Sequence, residues 1–185
     1  MTKRARAMLR HMDRTTRSWF LPVIGRDKGR FIARLLDRHR PKRAVEIGSL
    51  IGYSAIVIAG NLPPRGRLTS IEVNPYMTRI TERNVAAAGL KARVRVITGD
   101  ALRVIPFLGS RFDFALIDAA KEEYLEYLRA LEPRLVKGAW VVADNTKIFE
   151  RQLRDYLRYV RRSGRYESQE QDFGQDAMEV SRFLG

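Results

Sequence analysis

Five short apolar runs, separated by longer segments with helical spacing, dominate the hydrophobic pattern of this 185-residue chain. The runs are nearly continuous, which is typical of strands that are covered by helices on both faces of a parallel sheet. The predicted strands are Ala44–Ile47, Leu68–Val73, Val94–Thr98, Phe112–Ile117 and Ala139–Ala143. The predicted helices that follow them are Tyr53–Ala59, Pro75–Ala88, Ala101–Leu108, Lys121–Val136 and Ile148–Arg162. This alternation predicts a doubly wound α/β domain.

The two ends of the chain add elements to this pattern. Two helices are predicted before the first strand, one up to about Phe20 and one over Lys28–Arg38, which Pro41 ends. Two further strands are predicted at Tyr166–Gln171 and Met178–Phe183, and we interpret them as a hairpin at the sheet edge. Residues 1–40 are interpreted as a helical cap within the same domain, and residues 41–185 as its ligand-binding part.

A glycine-containing turn follows the first predicted strand. Gly48 comes directly after the apolar run, and Gly52 opens the next helix. Because glycine has no Cβ, such a turn lets backbone N–H groups approach a nucleotide-like ligand at the helix start. A Gly-x-x-x-Gly sequence after a strand is a weak signal by itself, so the interpretation depends on the other strand ends.

Acidic side chains stand at the ends of the predicted strands, where an open α/β sheet binds its ligands. Glu46 and Asp100 end the first and third strands, and Glu72 ends the second. Glu72 lies 24 residues after Gly48, close to the spacing at which a carboxylate binds ribose hydroxyls. Glu72 and Asp100 have an alternative interpretation as N-caps of the helices that follow them.

The fourth and fifth strand ends indicate a metal site. Asp118 and Asp144 each follow at least four apolar residues, so buried strands hold both carboxylates at the same edge of the sheet. Two neighbouring carboxylates repel each other unless a cation or a proton relieves the repulsion. With the carbonyl of Asn145 they supply three hard oxygen ligands, which suit an octahedral divalent ion such as Mg²⁺.

Composition narrows the function classes. The chain contains no cysteine, which excludes disulfides, thiolate metal sites and cysteine nucleophiles. Its two histidines, His11 and His39, lie away from the strand ends, so a zinc or histidine-dependent site is not expected. No apolar run approaches the roughly 20 residues of a membrane span, and we expect a cytoplasmic protein without membrane contact.

The formal net charge of +14 leaves two interpretations open. Much of the excess lies before Val45, where only Asp13, Asp27 and Asp37 oppose the basic side chains. One interpretation is a solvated, arginine-rich surface. The other is a basic surface for nucleic acid or another anionic partner. In that second interpretation, a basic track for phosphates would include Arg151, Arg154, Arg158, Arg161 and Arg165, which recur three or four residues apart.

Together, the strand-end motifs resemble those of the cation-dependent, S-adenosylmethionine-using O-methyltransferases, whose best-known members act on catechols and on caffeoyl-CoA. The motifs that carry the resemblance are Val45-Glu46-Ile47-Gly48, Ile71-Glu72-Val73-Asn74-Pro75, Gly99-Asp100-Ala101, Ile117-Asp118-Ala119-Ala120-Lys121 and Ala143-Asp144-Asn145. The resemblance extends over nearly the whole chain from about Leu21. It implies a Rossmann-like class I methyltransferase fold, with a seven-stranded, mostly parallel sheet and an antiparallel last hairpin.

The resemblance also implies roles for individual residues. Lys121 corresponds to the base that takes the proton of the substrate hydroxyl, and Asp118, Asp144 and Asn145 to the magnesium ligands. The residues that correspond to the S-adenosylmethionine site are Ile24, Glu46, Gly48 and Ser54 at the methionine end, Glu72 at the ribose, Asp100 and Ala101 at the adenine, and Asp118.

The chain departs from its relatives in three places. Many relatives have an acidic residue where Ala120 stands here. Relatives also carry a longer substrate-binding insertion after the Asp-Asn pair, so we expect a more open pocket in this chain. A further acidic substrate ligand of the animal catechol enzymes has only Glu170 and Asp172 as candidate counterparts.

Three functions remain from these observations. The first is O-methylation of a small catechol-like or vicinal diol, and the second is the same chemistry on a hydroxyl of tRNA or another RNA. The third is a non-catalytic nucleic-acid-binding protein on the same fold. A nicotinamide-dependent dehydrogenase is disfavoured, because Ser49-Leu50-Ile51 after Gly48 does not match Gly-x-Gly-x-x-Gly. A homodimer is a further possible assembly.

Overall fold

The computed structural model describes residues 1–19 and 21–185. Its helices are α1 (Lys3–Trp19), α2 (Gly25–His39), α3 (Tyr53–Asn61), α4 (Pro75–Ala87), α5 (Ala101–Val104), α6 (Tyr124–Leu131) and α7 (Arg154–Arg162). Its strands are β1 (Arg43–Ile47), β2 (Arg67–Glu72), β3 (Val94–Thr98), β4 (Phe112–Ile117), β5 (Leu135–Ala143), β6 (Tyr166–Asp172) and β7 (Ala177–Phe183). Short 3₁₀ segments lie at Ile105–Phe107, Lys121–Glu123 and Glu132–Arg134.

All seven strands form one sheet in the order β3-β2-β1-β4-β5-β7-β6. The strands β1 to β5 pair in parallel, and β7 pairs antiparallel with both β5 and β6. The strand order reverses at β1, which pairs with β2 on one side and β4 on the other, and such a switch point leaves a ligand crevice at the carboxyl ends. The predicted doubly wound, mostly parallel sheet with its C-terminal hairpin is confirmed.

Two hydrophobic layers cover the two faces of the sheet. Along β4 the side chains alternate, with Phe114 and Leu116 in the layer of α1, α2 and α3, and Ala115 and Ile117 in the layer of α5, α6 and α7. The N-terminal helices contribute to the first layer, for example through Ile32 of α2. The division at residues 40 and 41 stays a prediction. In the described part of the chain, helices that could cross a membrane are absent.

The structure differs from the predicted elements mainly around Pro133. The predicted helix Lys121–Val136 is replaced by α6, with 3₁₀ turns on both sides, and the chain is already in β5 at Leu135. Proline ends the helix because it lacks an N–H and its ring clashes with the preceding turn.

Three other predicted helices also differ from the structure. The predicted helix Ala101–Leu108 is α-helical only over α5 and continues as the 3₁₀ segment Ile105–Phe107, which contains a proline. The last predicted helix begins at Arg154 instead of Ile148, and the backbone N–H of Ile148 donates to the Asp176 side chain at 3.2 Å. Phe20, the predicted end of the first helix, lies outside the described residues.

Candidate active site

A cleft of about 910 Å³ opens beyond the carboxyl ends of the central strands. Ten of the eleven site residues selected from the sequence line it: Ile24, Gly48, Ser54, Glu72, Asp100, Ala101, Asp118, Lys121, Asp144 and Asn145. The sheet brings these residues together because parallel strands all end at the same edge. Glu46 is the exception.

The turn between β1 and α3 requires glycine at two positions. Gly48 has φ +87°, and a Cβ there would lie 2.1 Å from the backbone oxygen of Asp118. Gly52 has φ +85°, and its Cβ would lie 3.1 Å from the Thr81 side chain. The first glycine therefore lets the β1 turn and the end of β4 meet at the floor of the cleft.

The carboxylate of Glu72 is held by the turn that it faces. Its Oε2 accepts hydrogen bonds from the backbone N–H groups of Ser49, at 3.0 Å, and Leu50, at 2.9 Å. Its Oε1 accepts the N–H of Asn74 at 3.0 Å. The N-cap of α4 is Asn74, whose side chain accepts from the N–H groups of the first turn, so the cap interpretation does not apply to Glu72.

Two further residues of the predicted cofactor site stand at the beginning of α5. Asp100 is the N-cap of this helix, and its Oδ1 accepts the backbone N–H of Leu102 at 2.9 Å. Ala101, which follows it, is buried. Asp100 also lines the cleft, so the same residue can cap α5 and lie beside a bound ligand.

Glu46 lies below the cleft and does not form part of its wall. Its side chain is fully buried, because successive residues of β1 face opposite layers and Glu46 faces the layer of α3. Its Oε1 accepts a hydrogen bond from the Ser70 hydroxyl at 2.7 Å, while its Oε2 has no hydrogen-bond partner among the residues that the structure describes. Burial raises the pKa of Glu46 to about 7, although the nearby hydroxyls of Ser70 and Ser54 act in the opposite direction.

Asp118 and Asp144 stand side by side because β4 and β5 are paired. Ile117 and Ala143 are partners in the sheet, and the N–H of Asp144 donates to the oxygen of Ile117 at 3.0 Å. Burial, followed by the negative charge of Asp118, raises the pKa of Asp144 to about 6. Asn145 comes next with φ +61°, a left-handed conformation that turns the chain away from the strand.

Lys121 points into the cleft beside these carboxylates. Its Nζ donates to Asp118 Oδ1 at 2.9 Å and to the Tyr124 hydroxyl at 2.7 Å. The ammonium also lies over two aromatic rings, 5.0 Å from the centroid of Tyr124 and 5.6 Å from that of Phe149. The Tyr124 hydroxyl donates in turn to the backbone oxygen of Asp144 at 3.3 Å. A residue of α6 thus connects the predicted base to the predicted metal ligands.

Two residues at this site were missed by the sequence analysis, Lys28 and Asp176. Lys28 Nζ donates to Asp144 Oδ1 and to Asp176 Oδ2. Burial lowers the pKa of Lys28, but the two carboxylates outweigh it, so that the pKa is raised overall. Asp176 lies just after a glycine turn and directly before β7. The other acidic residues of the site were found because they follow a strand, whereas Asp176 precedes one.

The two acidic residues considered from the sequence as a further substrate ligand are engaged elsewhere. Glu170 pairs with Arg161 at 3.2 Å, and Asp172 pairs with Lys147 at 3.1 Å. Both lie on β6 and are exposed. The acid that the structure brings to the site is Asp176.

The donor set fits a hard divalent ion. Asp118 and Asp144 are neighbouring carboxylates whose mutual repulsion a bound cation would relieve. Asn145 adds a neutral oxygen ligand. Among residues 1–19 and 21–185, no three or more His, Cys, Asp or Glu side chains are grouped so that they could hold a metal ion. A metal site here therefore depends on the amide of Asn145 as its third protein ligand.

A family model described as O-methyltransferase matches residues 3–156. The chain belongs to this O-methyltransferase family. The catechol O-methyltransferase of Bos taurus is 35% identical over 151 residues, which cover 78% of this chain and 55% of that enzyme. The catechol O-methyltransferase of Sus scrofa is also 35% identical over 151 residues, covering 78% of this chain and 80% of that enzyme. The chain therefore spans about half the length of the bovine relative.

A solved O-methyltransferase structure shows the same architecture. The O-methyltransferase TomG of Streptomyces achromogenes, in complex with S-adenosylmethionine, superposes with a TM-score of 0.85 at 26% identity. The superposition covers 96% of this chain and 90% of TomG. The predicted membership of an O-methyltransferase family is thus confirmed.

Proposed function

We propose that this O-methyltransferase moves the methyl group of S-adenosylmethionine to a hydroxyl of a small catechol-like or other vicinal diol, with the help of a divalent cation such as Mg²⁺. The observation that carries the proposal is the position of Lys121 beside Asp118, with Asp144 and Asn145 at the same end of the cleft. The predicted base and the predicted oxygen ligands thus line the same part of the cleft. Methyl transfer to a hydroxyl needs both a proton acceptor and a fixed position for the nucleophile.

The cofactor belongs to the half of the cleft formed by β1, β2 and β3. Glu72 faces the glycine turn at the place of the ribose, and Ser54 and Gly48 line the part assigned to the methionine end. Asp100 and Ala101 line the part assigned to the adenine. Bound S-adenosylmethionine would supply an electrophilic methyl group on a sulfonium.

The acceptor belongs to the other half. Asp118, Asp144 and Asn145 would hold the cation, which when bound lowers the pKa of a hydroxyl and orients it. Lys121, in its amine form, takes the hydroxyl proton on Nζ. With its proton on Lys121, the hydroxyl oxygen would be free to accept the methyl group that bound S-adenosylmethionine supplies, and the carbon–sulfur electron pair would stay with sulfur.

The wall beside Lys121 favours a small aromatic acceptor. Phe149 stands 5.6 Å from the Lys121 ammonium, and Ile148, 57% exposed, lines the same cleft. A flat ring can pack against these apolar side chains while its two hydroxyls face the carboxylates. The short path from Asn145 to Ile148 leaves this side of the cleft open.

The test is a methylation screen with labelled S-adenosylmethionine, run after EDTA treatment with and without added Mg²⁺. Catechol, a monohydroxyl phenol and an aliphatic vicinal diol are compared with unmodified and hydroxylated tRNA. We expect Mg²⁺-dependent transfer to the catechol. Transfer that survives EDTA would contradict the cation-dependent mechanism, and RNA binding without any methylation would favour the non-catalytic alternative.

RNA remains the second candidate acceptor because of the exposed arginines of α7. Arg154, Arg158 and Arg162 recur every four residues on one face and are exposed. Two other arginines of the predicted basic track serve different purposes. Arg161 binds the buried Glu179 and Arg165 binds Glu132 at 2.9 Å.

This second candidate is tested by the salt dependence of tRNA binding. Each phosphate contact adds roughly 0.9 or less to the slope of log affinity against log salt. Replacing Arg154 and Arg158 by Ala should flatten the slope and leave cofactor binding intact. Equal binding of tRNA and a simple polyanion, without methylation, would leave the diol as the better acceptor.

A further inference from the structure

A buried cluster of polar side chains joins three distant parts of the chain at the end of β5. Lys28 comes from α2, Asp144 and Asn145 follow β5, and Asp176 precedes β7. The side chains of Lys28, Asp144 and Asp176 are only 11%, 2% and 9% exposed. Charged groups withdrawn from water to this extent are stable only where they are paired, so the cluster has a defined geometry.

Asp176 is the centre of this cluster. Its Oδ2 accepts hydrogen bonds from Lys28, at 2.5 Å, and from Asn145 Nδ2, at 2.8 Å. Its Oδ1 accepts the backbone N–H of Ile148 at 3.2 Å. The carboxylate is therefore fixed by one ammonium, one amide and one backbone group.

These contacts determine which end of the Asn145 carboxamide is free. An ionised carboxylate can only accept hydrogen bonds, so the group that Asn145 turns toward Asp176 has to be its amide nitrogen. The carbonyl oxygen of the same planar group then points away from Asp176. Only that oxygen, and not the nitrogen, can bind a hard divalent ion.

We propose that Asp176, tethered by Lys28, is the positioning residue that presents the Asn145 oxygen as a metal ligand. The inference rests on the cation site of the proposed function. Lys28 also donates to Asp144, so a single side chain of α2 places both the Asp144 ligand and the orienting acid. Its positive charge offsets Asp176, which otherwise would be a third carboxylate beside Asp118 and Asp144.

The first experiment measures Mn²⁺ binding to the cofactor-free protein by calorimetry and by electron paramagnetic resonance. In Asp176→Asn the new side chain has nearly the same shape but can donate as well as accept, so the orientation of Asn145 is no longer imposed. Partners that orient metal ligands typically contribute 10- to 100-fold to metal affinity. We expect Mn²⁺ affinity to fall by about 10- to 100-fold.

The chain offers a matched control in Asp172→Asn. Asp172 pairs with Lys147 at 3.1 Å and, like Asp176, ties the hairpin of β6 and β7 to the segment after β5. That pair is exposed, with 46% and 58% of the two side chains accessible. We expect this variant to bind Mn²⁺ as the wild type does.

A second variant separates orientation from support of the fold. In the double variant Asn145→Asp, Asp176→Asn, the side chain at 145 has oxygen at both positions and the one at 176 can donate to it. We expect the double variant to recover most of the Mn²⁺ affinity that Asp176→Asn loses. Thermal unfolding and S-adenosylmethionine binding verify folding, and Asp176→Ser replaces Asp176→Asn if the latter does not fold.

The outcomes separate this inference from the function on which it rests. Wild-type affinity in Asp176→Asn, or an equal loss in Asp172→Asn, would overturn the positioning role. Failure of the double variant to recover would show that Asp176 only supports the fold. If the wild type binds no Mn²⁺ and Asp144→Asn changes nothing, the cation site itself is wrong and the inference falls with it.

Discussion

The two halves of the cleft stabilise their carboxylates with different kinds of donor. In the cofactor half, Glu72 is held by three backbone N–H groups, from Ser49, Leu50 and Asn74. All three donors belong to the turns that end β1 and β2. This half is therefore formed by local chain geometry, and its donors carry no net charge.

In the metal half, lysine side chains from outside the strands perform the same task. Asp144 is bound by Lys28 and Asp118 by Lys121. Each lysine is a positive charge on a flexible stem, so it neutralises its carboxylate through a side chain and not through the backbone of a turn. The cofactor half is therefore formed by the backbone of two turns, whereas the metal half depends on side-chain charges.

The largest expected effect comes from removing a carboxylate from the metal half. Asp144→Asn keeps the shape of the side chain but removes its charge. A bound cation supplies several kcal/mol of stabilisation, so we expect Mg²⁺-stimulated methyl transfer to fall by about a thousandfold. The measurement is the transfer rate after EDTA treatment, with Mg²⁺ added back in steps.

The control for this prediction is Asp155→Asn on the exposed face of α7. Within the described part of the chain, Asp155 pairs with two exposed arginines, Arg154 and Arg158, and its replacement should leave the rate unchanged. Unaltered Mg²⁺ stimulation in Asp144→Asn would show that Asp144 does not hold the cation and that this half of the cleft is not a metal site.

An effect of similar size is expected from Lys121→Met, which removes the predicted base and keeps an apolar stem against Phe149. General-base catalysis contributes about 10²- to 10⁴-fold, and kcat should fall in that range. Affinity for S-adenosylmethionine should stay the same, because Glu72 and its backbone donors are unchanged. Steady-state kinetics and calorimetry test both statements.

Lys147→Met is the matched control, since Lys147 is a half-exposed lysine that contacts Asp172. A kcat for Lys121→Met within a few per cent of that of this control would assign the proton transfer to another group. Loss of cofactor affinity instead would place Lys121 in the other half of the cleft.

In the cofactor half, Glu72→Gln tests the carboxylate at the ribose position. A hydrogen bond to a charged group contributes about 1.5–3 kcal/mol, so we expect S-adenosylmethionine to bind roughly 10- to 150-fold more weakly. If the NH₂ group of the new amide faced the N–H groups of Ser49 and Leu50, donors would face donors and these hydrogen bonds would be lost. Calorimetric titration with S-adenosylmethionine gives the affinity.

Glu82→Gln, at an exposed position on α4, serves as the control. Equal affinities in the two variants would refute the ribose assignment of Glu72. Mn²⁺ binding should be the same in both, since neither residue belongs to the metal half.

The smallest functional effect is expected from Glu46→Gln, which acts on stability and not on the chemistry. Burial raises the pKa of Glu46 from 4.5 to about 7, so the folded protein binds this proton more tightly than the unfolded chain does. The free energy of unfolding therefore falls as the pH rises from about 4.5 to 7 and stays low above 7. Glu46→Gln should remove this part of the pH dependence, making the variant more stable than wild type above pH 7 by roughly 1–3 kcal/mol.

The measurement is thermal unfolding of the cofactor-free protein between pH 5 and about 8. Asp144, whose pKa is raised from 3.8 to about 6, contributes with the same sign in both proteins, so the difference between them reports Glu46. Parallel curves for wild type and Glu46→Gln would show that this carboxyl is ionised throughout.

The sequence by itself determined the fold class and most of the cleft. Near-continuous apolar strands followed by helices have only one economical arrangement, a parallel sheet covered on both faces, and this arrangement places all strand ends at one edge. Gly48, Glu72, Asp118 and Asp144 were found because each stands next to such a strand end. Position along the chain was enough to bring them together.

Only the tertiary structure decided the partners of these groups. Lys28 lies 116 residues from Asp144 and 148 residues from Asp176, and neither distance leaves a periodic signal in the sequence. The family resemblance assigned Glu46 to the methionine end of the cofactor site, but the alternation of β1 turns its side chain into the layer below the cleft. Arg161 was assigned to a basic track, whereas it binds the buried Glu179.

The physical reason is the range of the interactions involved. Strand formation, helix periodicity and glycine turns depend on residues within one or two turns of each other, so they can be read from the chain directly. The choice of a counter-charge depends on which side chains the packed layers bring within about 3 Å, and many lysines and arginines of this basic chain could have met that condition.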